Sequence, residues 1–122
     1  MGLAYAEIEL SNPRRGDIPP VRVVSLADTG ANMLCIPARL AAQLDLETAE
    51  HRAIVLADGS RTTVPYVGPI RVAFENRCCF VGAFAMGDEV VLGAVPMEDM
   101  DLIVSPLTRT VMANPDSGGL RA

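Results

Sequence analysis

Long apolar runs are missing from this sequence of 122 residues: no stretch approaches the roughly 18 consecutive apolar residues that a bilayer-crossing helix requires. The opening residues, Met1-Gly2-Leu3-Ala4-Tyr5-Ala6-Glu7, lack the positive region and the continuous apolar segment of a secretory signal. A cytoplasmic protein with no membrane partner is the expectation. Basic clusters are missing too. The arginines are scattered among acids and the net charge is -5, whereas neutralising phosphates needs a basic stripe, so no nucleic-acid partner is expected.

Cysteine and histidine are scarce. Cys35, Cys78 and Cys79 make an odd count, and the adjacent pair would close only a strained ring, so the cysteines read as small buried hydrophobes of a reducing compartment. Together with His51 they lack the paired spacing of a structural zinc site, and neither a metal nor a cofactor is expected. His51 is the one histidine and sits in a polar stretch with no nucleophile motif beside it, which leaves Ser-His-Asp and Cys-His chemistry without support. Tryptophan is absent altogether. Even so, 50% of the residues are hydrophobic and 20% charged, the composition of a chain that folds. The length suits a single domain, read here as residues 1–113, followed by a polar, Gly-containing tail at 114–122 that is expected to fray.

What is present is mostly strand pattern. Residues 4–10 alternate in character, with Tyr5, Ile8 and Leu10 set against Glu7 and Glu9, and a turn follows at 12–17. A second strand at 21–26 runs into Ala27-Asp28-Thr29-Gly30. Pro37 opens a short amphipathic helix ending near Asp45, with Leu40 and Leu44 one turn apart. Strands from Arg52 to Val67 flank Asp58-Gly59, the dipeptide suited to a two-residue hairpin turn. Further strands are expected at 68–74 and 78–86, then Val90-Val91-Leu92-Gly93, a helical segment at 96–100, and a last hairpin of 102–104 with 109–113. A weak internal echo joins 23–26 and 90–93, each an apolar run leading through glycine to a short helix.

One motif carries chemistry. The strand at 21–26 delivers Asp28-Thr29-Gly30-Ala31, and Met33-Leu34-Cys35-Ile36-Pro37 leads on into a helix; near the end, Val91-Leu92-Gly93 precedes a helix and Leu102-Ile103-Val104. In this order and spacing, with the Asp58-Gly59 hairpin between, residues 21–113 resemble the retropepsin-like aspartic peptidase family. The resemblance implies an all-β fold, a closed acid-protease barrel with one or two short helices. It also implies catalytic roles for Asp28, Thr29 and Gly30, with Thr29 locking two active-site loops together. Substrate contacts would come from Ala31, Leu92 and a flap tip of Ala57, Asp58 and Gly59. Ala27 and Cys35 depart from the larger aliphatic residues frequent at their places, and the hairpin holds less glycine than retroviral flaps.

The chemistry itself explains the residue types. A peptide bond needs its attacking water deprotonated and its leaving amine protonated, so the site must hold a base and an acid together. Two facing carboxylates supply both, because repulsion lets only one ionise. Asp17, Asp45, Asp58, Asp88, Asp99, Asp101 and Asp116 all lack the strand-Asp-Thr-Gly context. The second carboxylate would then come from another copy across a twofold axis, giving a homodimer that acts on polypeptide substrate. The rival reading is a non-cleaving dimeric peptide-binding or scaffold domain of the same fold.

Overall fold

The computed structural model describes residues 3–105 and 107–115. Its elements run β1 (Ala4–Ser11), β2 (Val21–Ala27), β3 (Leu34–Ile36), α1 (Ala38–Gln43), β4 (Thr48–Val55), β5 (Arg61–Phe74), β6 (Arg77–Ala85), β7 (Val90–Leu92), α2 (Ala94–Asp99), β8 (Leu102–Ser105) and β9 (Thr110–Ala113). Six strands close into a barrel in the order β1-β2-β7-β3-β6-β5, and β1 returns to β5 through Glu9↔Ala73, Leu10↔Val72 and Ser11↔Arg71. The β2–β7 and β3–β6 pairs are parallel; the remaining pairs of the ring are antiparallel. Ile8, Leu10, Leu34, Ile36, Ile70, Val72 and Leu92 fill the interior. The described residues are thus mostly β with two short helices, as the sequence predicts.

Strand parity decides which side chains enter the core. In β1 it buries Ala4, Ala6, Ile8 and Leu10 and turns Tyr5 and Glu7 outward. Tyr5, grouped by its apolar character with Ile8 and Leu10, therefore faces solvent at 50% exposure. The two echoing segments lie side by side, Ser25↔Val90, Leu26↔Val91 and Ala27↔Leu92.

Two expectations change. The strands predicted at either side of residue 68 are one strand of 14 residues, β5, whose register with β6 shifts between Val67 and Ile70. Gly68 and Pro69 read as a break, but the sheet absorbs them as an irregularity with Gly68 at φ 149. The β4–β5 hairpin also closes differently. Gly59 N–H donates to Leu56 O at 2.9 Å and Leu56 N–H to Ser60 O at 2.8 Å, and Gly59 alone in the turn has a positive φ, of 86. This is a three-residue loop with one left-handed glycine, and not the expected two-residue turn, which needs two such residues or a glycine one place earlier.

The loop at 12–17 does more than reverse the chain. Buried Asn12 donates from Nδ2 to Leu44 O at 2.9 Å and to Asp45 O at 3.1 Å, satisfying carbonyls at the end of α1, while its Oδ1 accepts from Arg14 N–H at 2.9 Å. Pro37 caps α1 at φ -60 and ψ 147, so the helix begins one residue later than the proline. α2 begins at Ala94, two residues before Pro96. β8 and β9 form a separate two-stranded sheet whose Leu102, Val104 and Val111 pack on the core. Asn114 N–H donates to Asp101 O at 2.9 Å and its carbonyl accepts from Arg77 at 2.8 Å; the rest of the tail expected to fray, beyond Pro115, lies outside the described residues. No helix among the described residues is long and apolar enough to cross a membrane.

Candidate active site

Asp28 stands one residue past the end of β2. Its N–H donates to Leu92 O at 3.0 Å, extending the β2–β7 ladder by one bond. Its own carbonyl accepts from Ala31 N–H at 3.1 Å, closing a turn, and its Oδ1 accepts from Gly30 N–H at 2.9 Å. A Cβ on Gly30 would lie 3.2 Å from that same Oδ1, so a side chain there would crowd the carboxylate. The turn is held from behind by α2: Ala94 N–H donates to Ala31 O and Val95 N–H to Asn32 O, both at 2.8 Å. Gly93 makes this approach feasible, because a Cβ there would fall 2.3 Å from Met33 O. Among the described residues the carboxylate's hydrogen bond comes from backbone, and Asp28, Thr29 and Gly30 are all exposed.

The site residues expected from sequence fall in three places. Asp28, Thr29, Gly30 and Ala31 form one loop. Leu92 adjoins it through its carbonyl, but its side chain is fully buried in the core. Ala57, Asp58 and Gly59 form the exposed tip of the β4–β5 hairpin, and among the described residues no hydrogen bond joins this tip to the 28–33 loop. The Asp58 carboxylate turns back onto its own turn, accepting from Ser60 N–H at 2.8 Å and from the Ser60 hydroxyl, and these bonds hold it below the ordinary carboxyl range.

A further set of residues escapes pattern reading. Following the strand registers, Tyr5 pairs with Leu26, Leu26 with Val91, Val91 with Cys35, Cys35 with Phe84 and Phe84 with Tyr66. Paired residues share a face. This row crosses all six barrel strands on the side away from the core, and its members from Leu26 to Tyr66 are half-buried. Leu26 is two residues before Asp28, and Val91 is one before the carbonyl that holds it. At the far end Tyr66 tilts against Phe84 at 5.5 Å, lies on Gly82 where a Cβ would be 2.2 Å away, and is covered by the Arg52 guanidinium at 3.9 Å. Val24, Ser25 and Leu26 give no parity signal in sequence, since both faces of β2 carry apolar residues; only the register exposes the row.

The cysteines separate by environment. Cys79 is buried and its thiol is pushed up to about 12, chiefly by desolvation; Cys35 is half-buried and raised for the same reason; Cys78 is exposed. Only Cys79 fits the expectation of a buried hydrophobe, because β6 parity turns its neighbour outward. His51 lies exposed on β4. Among the described residues no three His, Cys, Asp or Glu side chains gather as a metal cluster would need.

The barrel with parallel β2–β7 and β3–β6 pairs, crossed by the Asp28 loop and Gly93, can be set beside solved structures. Over 77% of this chain and 91% of the other, it is similar to the simian foamy virus (mac) protease, with a TM-score of 0.52 at 18% sequence identity. The fold is the acid-protease fold. A protein of unknown function from Legionella pneumophila is similar over 83% of this chain and 91% of its own, at 11% identity and a TM-score of 0.43. No family model matches the sequence, and no curated protein does.

Proposed function

We propose that this chain is one subunit of a homodimeric aspartic endopeptidase of the retropepsin-like kind, with Asp28 as the carboxylate each copy contributes. The observation that carries the reading is the backbone cradle of Asp28: a carboxylate pinned at the rim of an acid-protease barrel and exposed to solvent among the described residues. A binding site in a self-sufficient subunit is ordinarily its best-formed cleft. Here a cleft of about 500 Å³ is lined by Arg14, Glu47, Tyr66, Pro69, Phe80 and Gly82 among others, and no residue of the 28–33 loop reaches it. A half-site accounts for this, since its cleft exists only between two copies.

In such a dimer the two Asp28 carboxyls face each other across the twofold and share one proton. The ionised member takes a proton from a water held between them as that water attacks the scissile carbonyl. The protonated member donates to the carbonyl oxygen and polarises it, and return of a proton to nitrogen breaks the C–N bond of the tetrahedral diol. Gly30 N–H, already on Asp28 Oδ1, keeps the carboxylate oriented throughout. An extended peptide lies along the dimer cleft as an added strand, its side chains meeting Leu26, Val91 and Cys35 of the half-buried row, and the β4–β5 hairpin tip closes over it.

Cleavage of an unfolded protein mixture from mildly acidic to neutral pH, with mass followed by sedimentation, tests the reading. Wild type is expected to cut as a dimer and Asp28→Asn to remain a dimer without cutting. Full cleavage by Asp28→Asn refutes the assignment, and a stable wild-type dimer that cuts nothing at any pH transfers the fold to peptide binding.

A further inference from the structure

The cleft of about 500 Å³ that the 28–33 loop does not reach lies between the 12–17 loop, the start of β4, the middle of β5 and β6. Aromatic residues concentrate there. Of the two Tyr and three Phe in the sequence, Tyr66 and Phe80 line the cleft beside Pro69 and Gly82, and Phe84 braces Tyr66. Phe80, Gly82 and Phe84 alternate along one face of β6, and the ring of Tyr66 lies where Gly82 has no side chain. The same ring meets Phe84 at 5.5 Å and is covered by the Arg52 guanidinium at 3.9 Å, which donates to Glu50 at 2.8 Å. Tyr66 is thus held in one orientation, yet among the described residues its hydroxyl makes no hydrogen bond. Phe80 is 58% exposed in the middle of its strand.

The polar groups narrow what the cleft can hold. Arg14 and Glu47 at its rim pair with each other at 3.5 Å and neutralise one another, so no net charge selects an ion. An added β-strand finds no ladder on β5 here, because Gly68 N–H is spent on Glu47 O and Pro69 has no N–H. What remains is apolar ring surface beside two side-chain donors, the Tyr66 hydroxyl and Arg14.

We propose that this cleft binds a proline-rich polypeptide segment in the extended left-handed polyproline conformation. Such a segment matches each property. Its rings pack on Tyr66, Pro69 and Phe80; its carbonyls, which make no internal hydrogen bonds, accept from the Tyr66 hydroxyl and Arg14; and its prolines bring no N–H in need of an acceptor. Its conformation is preformed, which lowers the ordering cost of binding in an open cleft. The site is separate from Asp28 and does not depend on the peptidase reading.

Fluorescence anisotropy of labelled decaproline, titrated with protein to millimolar concentration, tests the proposal, with a Gly-Ser decamer carrying the same label as control. Saturable binding of decaproline alone is expected, with NMR shifts at the amides of Val67, Gly68, Val81 and Gly82. Phe80→Ala should weaken binding about tenfold. Tyr66→Phe, which deletes the hydroxyl and keeps the ring, should weaken it about fivefold. Val55→Ser, which removes an apolar residue of similar exposure outside the cleft, should leave it unchanged. Circular dichroism establishes that each variant is folded; should Phe80→Ala fail to fold, Tyr66→Phe and the shift map decide. Absence of saturation, equal binding of the Gly-Ser decamer, shifts confined to other amides, or an affinity indifferent to the cleft substitutions overturns the proposal. Acetophenone, an uncharged ring with one carbonyl, overturns it too if it shifts these amides while decaproline does not, since the cleft is then a small-molecule site. Anisotropy reads binding without cleavage, so a protein that cuts nothing still tests the cleft.

Discussion

Replacing Gly93 by alanine probes how the candidate active site is built. Its φ is -86, a value any residue adopts, so the glycine is required for space and not for conformation. An added Cβ would meet Met33 O at 2.3 Å and Asn32 C and Met33 N at 2.8 Å, all backbone atoms, with no side chain able to rotate away. Restoring normal contact requires α2 and the 28–33 loop to part by about 1 Å, which strains the bonds from Ala94 to Ala31 and from Val95 to Asn32. Overpacking of this kind costs about 1–3 kcal/mol, and a misplacement of about 1 Å at reacting groups can cost ~100-fold in rate. Urea unfolding of Gly93→Ala should therefore show a midpoint lowered by roughly 1 M, given typical slopes for a chain this size. Cleavage, where wild type shows it, should fall further than the loss of folded protein explains. Gly16→Ala is the control, because nothing lies within 4 Å of the new methyl. A Gly93→Ala protein within about 0.5 kcal/mol of wild type would refute the steric account.

Removing the Asn12 side chain with Asn12→Ala leaves the carbonyls of Leu44 and Asp45 without their donor, and chemical denaturation should show a loss of about 1–3 kcal/mol; a neutral result would mean water replaces the cap at no cost. Thiol labelling of the native protein at neutral pH should modify Cys78 first, Cys35 more slowly and Cys79 only as the chain unfolds, read by mass spectrometry of peptides; early labelling of Cys79 would contradict its burial. Because bonds from Ser60 lower the Asp58 carboxyl below its unfolded value, their ordering of the hairpin tip is complete above the unfolded value of about 3.8 and is lost as pH falls through the lowered one. An NMR titration of the Ser60 amide should report this, and an Asp58 midpoint at or above the unfolded value would refute it.

Much of the local structure around the candidate site was legible because its signal is local. Asp28, Thr29 and Gly30 occupy consecutive places after a strand, and the strand, the glycine turn and the helix that follow can each be read from residue order. Gly93 is legible in the same way, as an apolar pair and a glycine before a helix. Less accessible was whatever depends on parity and register. Leu92 has the character of a pocket residue, but β7 is only three residues long and its alternation buries Leu92 while exposing Val91 in part. Tyr5 shows the same conflict between chemical character and strand face. Gly68 and Pro69 carry strong turn signals that the pairing of β5 on both sides overrides. The cap at Asn12 joins residues more than 30 positions apart and has no local signature at all.

The continuity of β5 has a mechanical meaning. Its first half is one arm of the hairpin, paired to β4 from Arg61 to Val67, and from Tyr66 onward it is barrel wall, paired to β6 and, at Arg71 to Ala73, to the seam with β1. The hairpin is a cantilever whose beam is embedded in the wall, not a loop hung from two posts. The beam enters the wall at Tyr66 and Val67, which pair with β6 as well as with β4, and the ladder with β6 resumes at Ile70 after its one irregularity. A substitution in the wall can therefore alter how the tip moves while touching neither the tip nor Asp28.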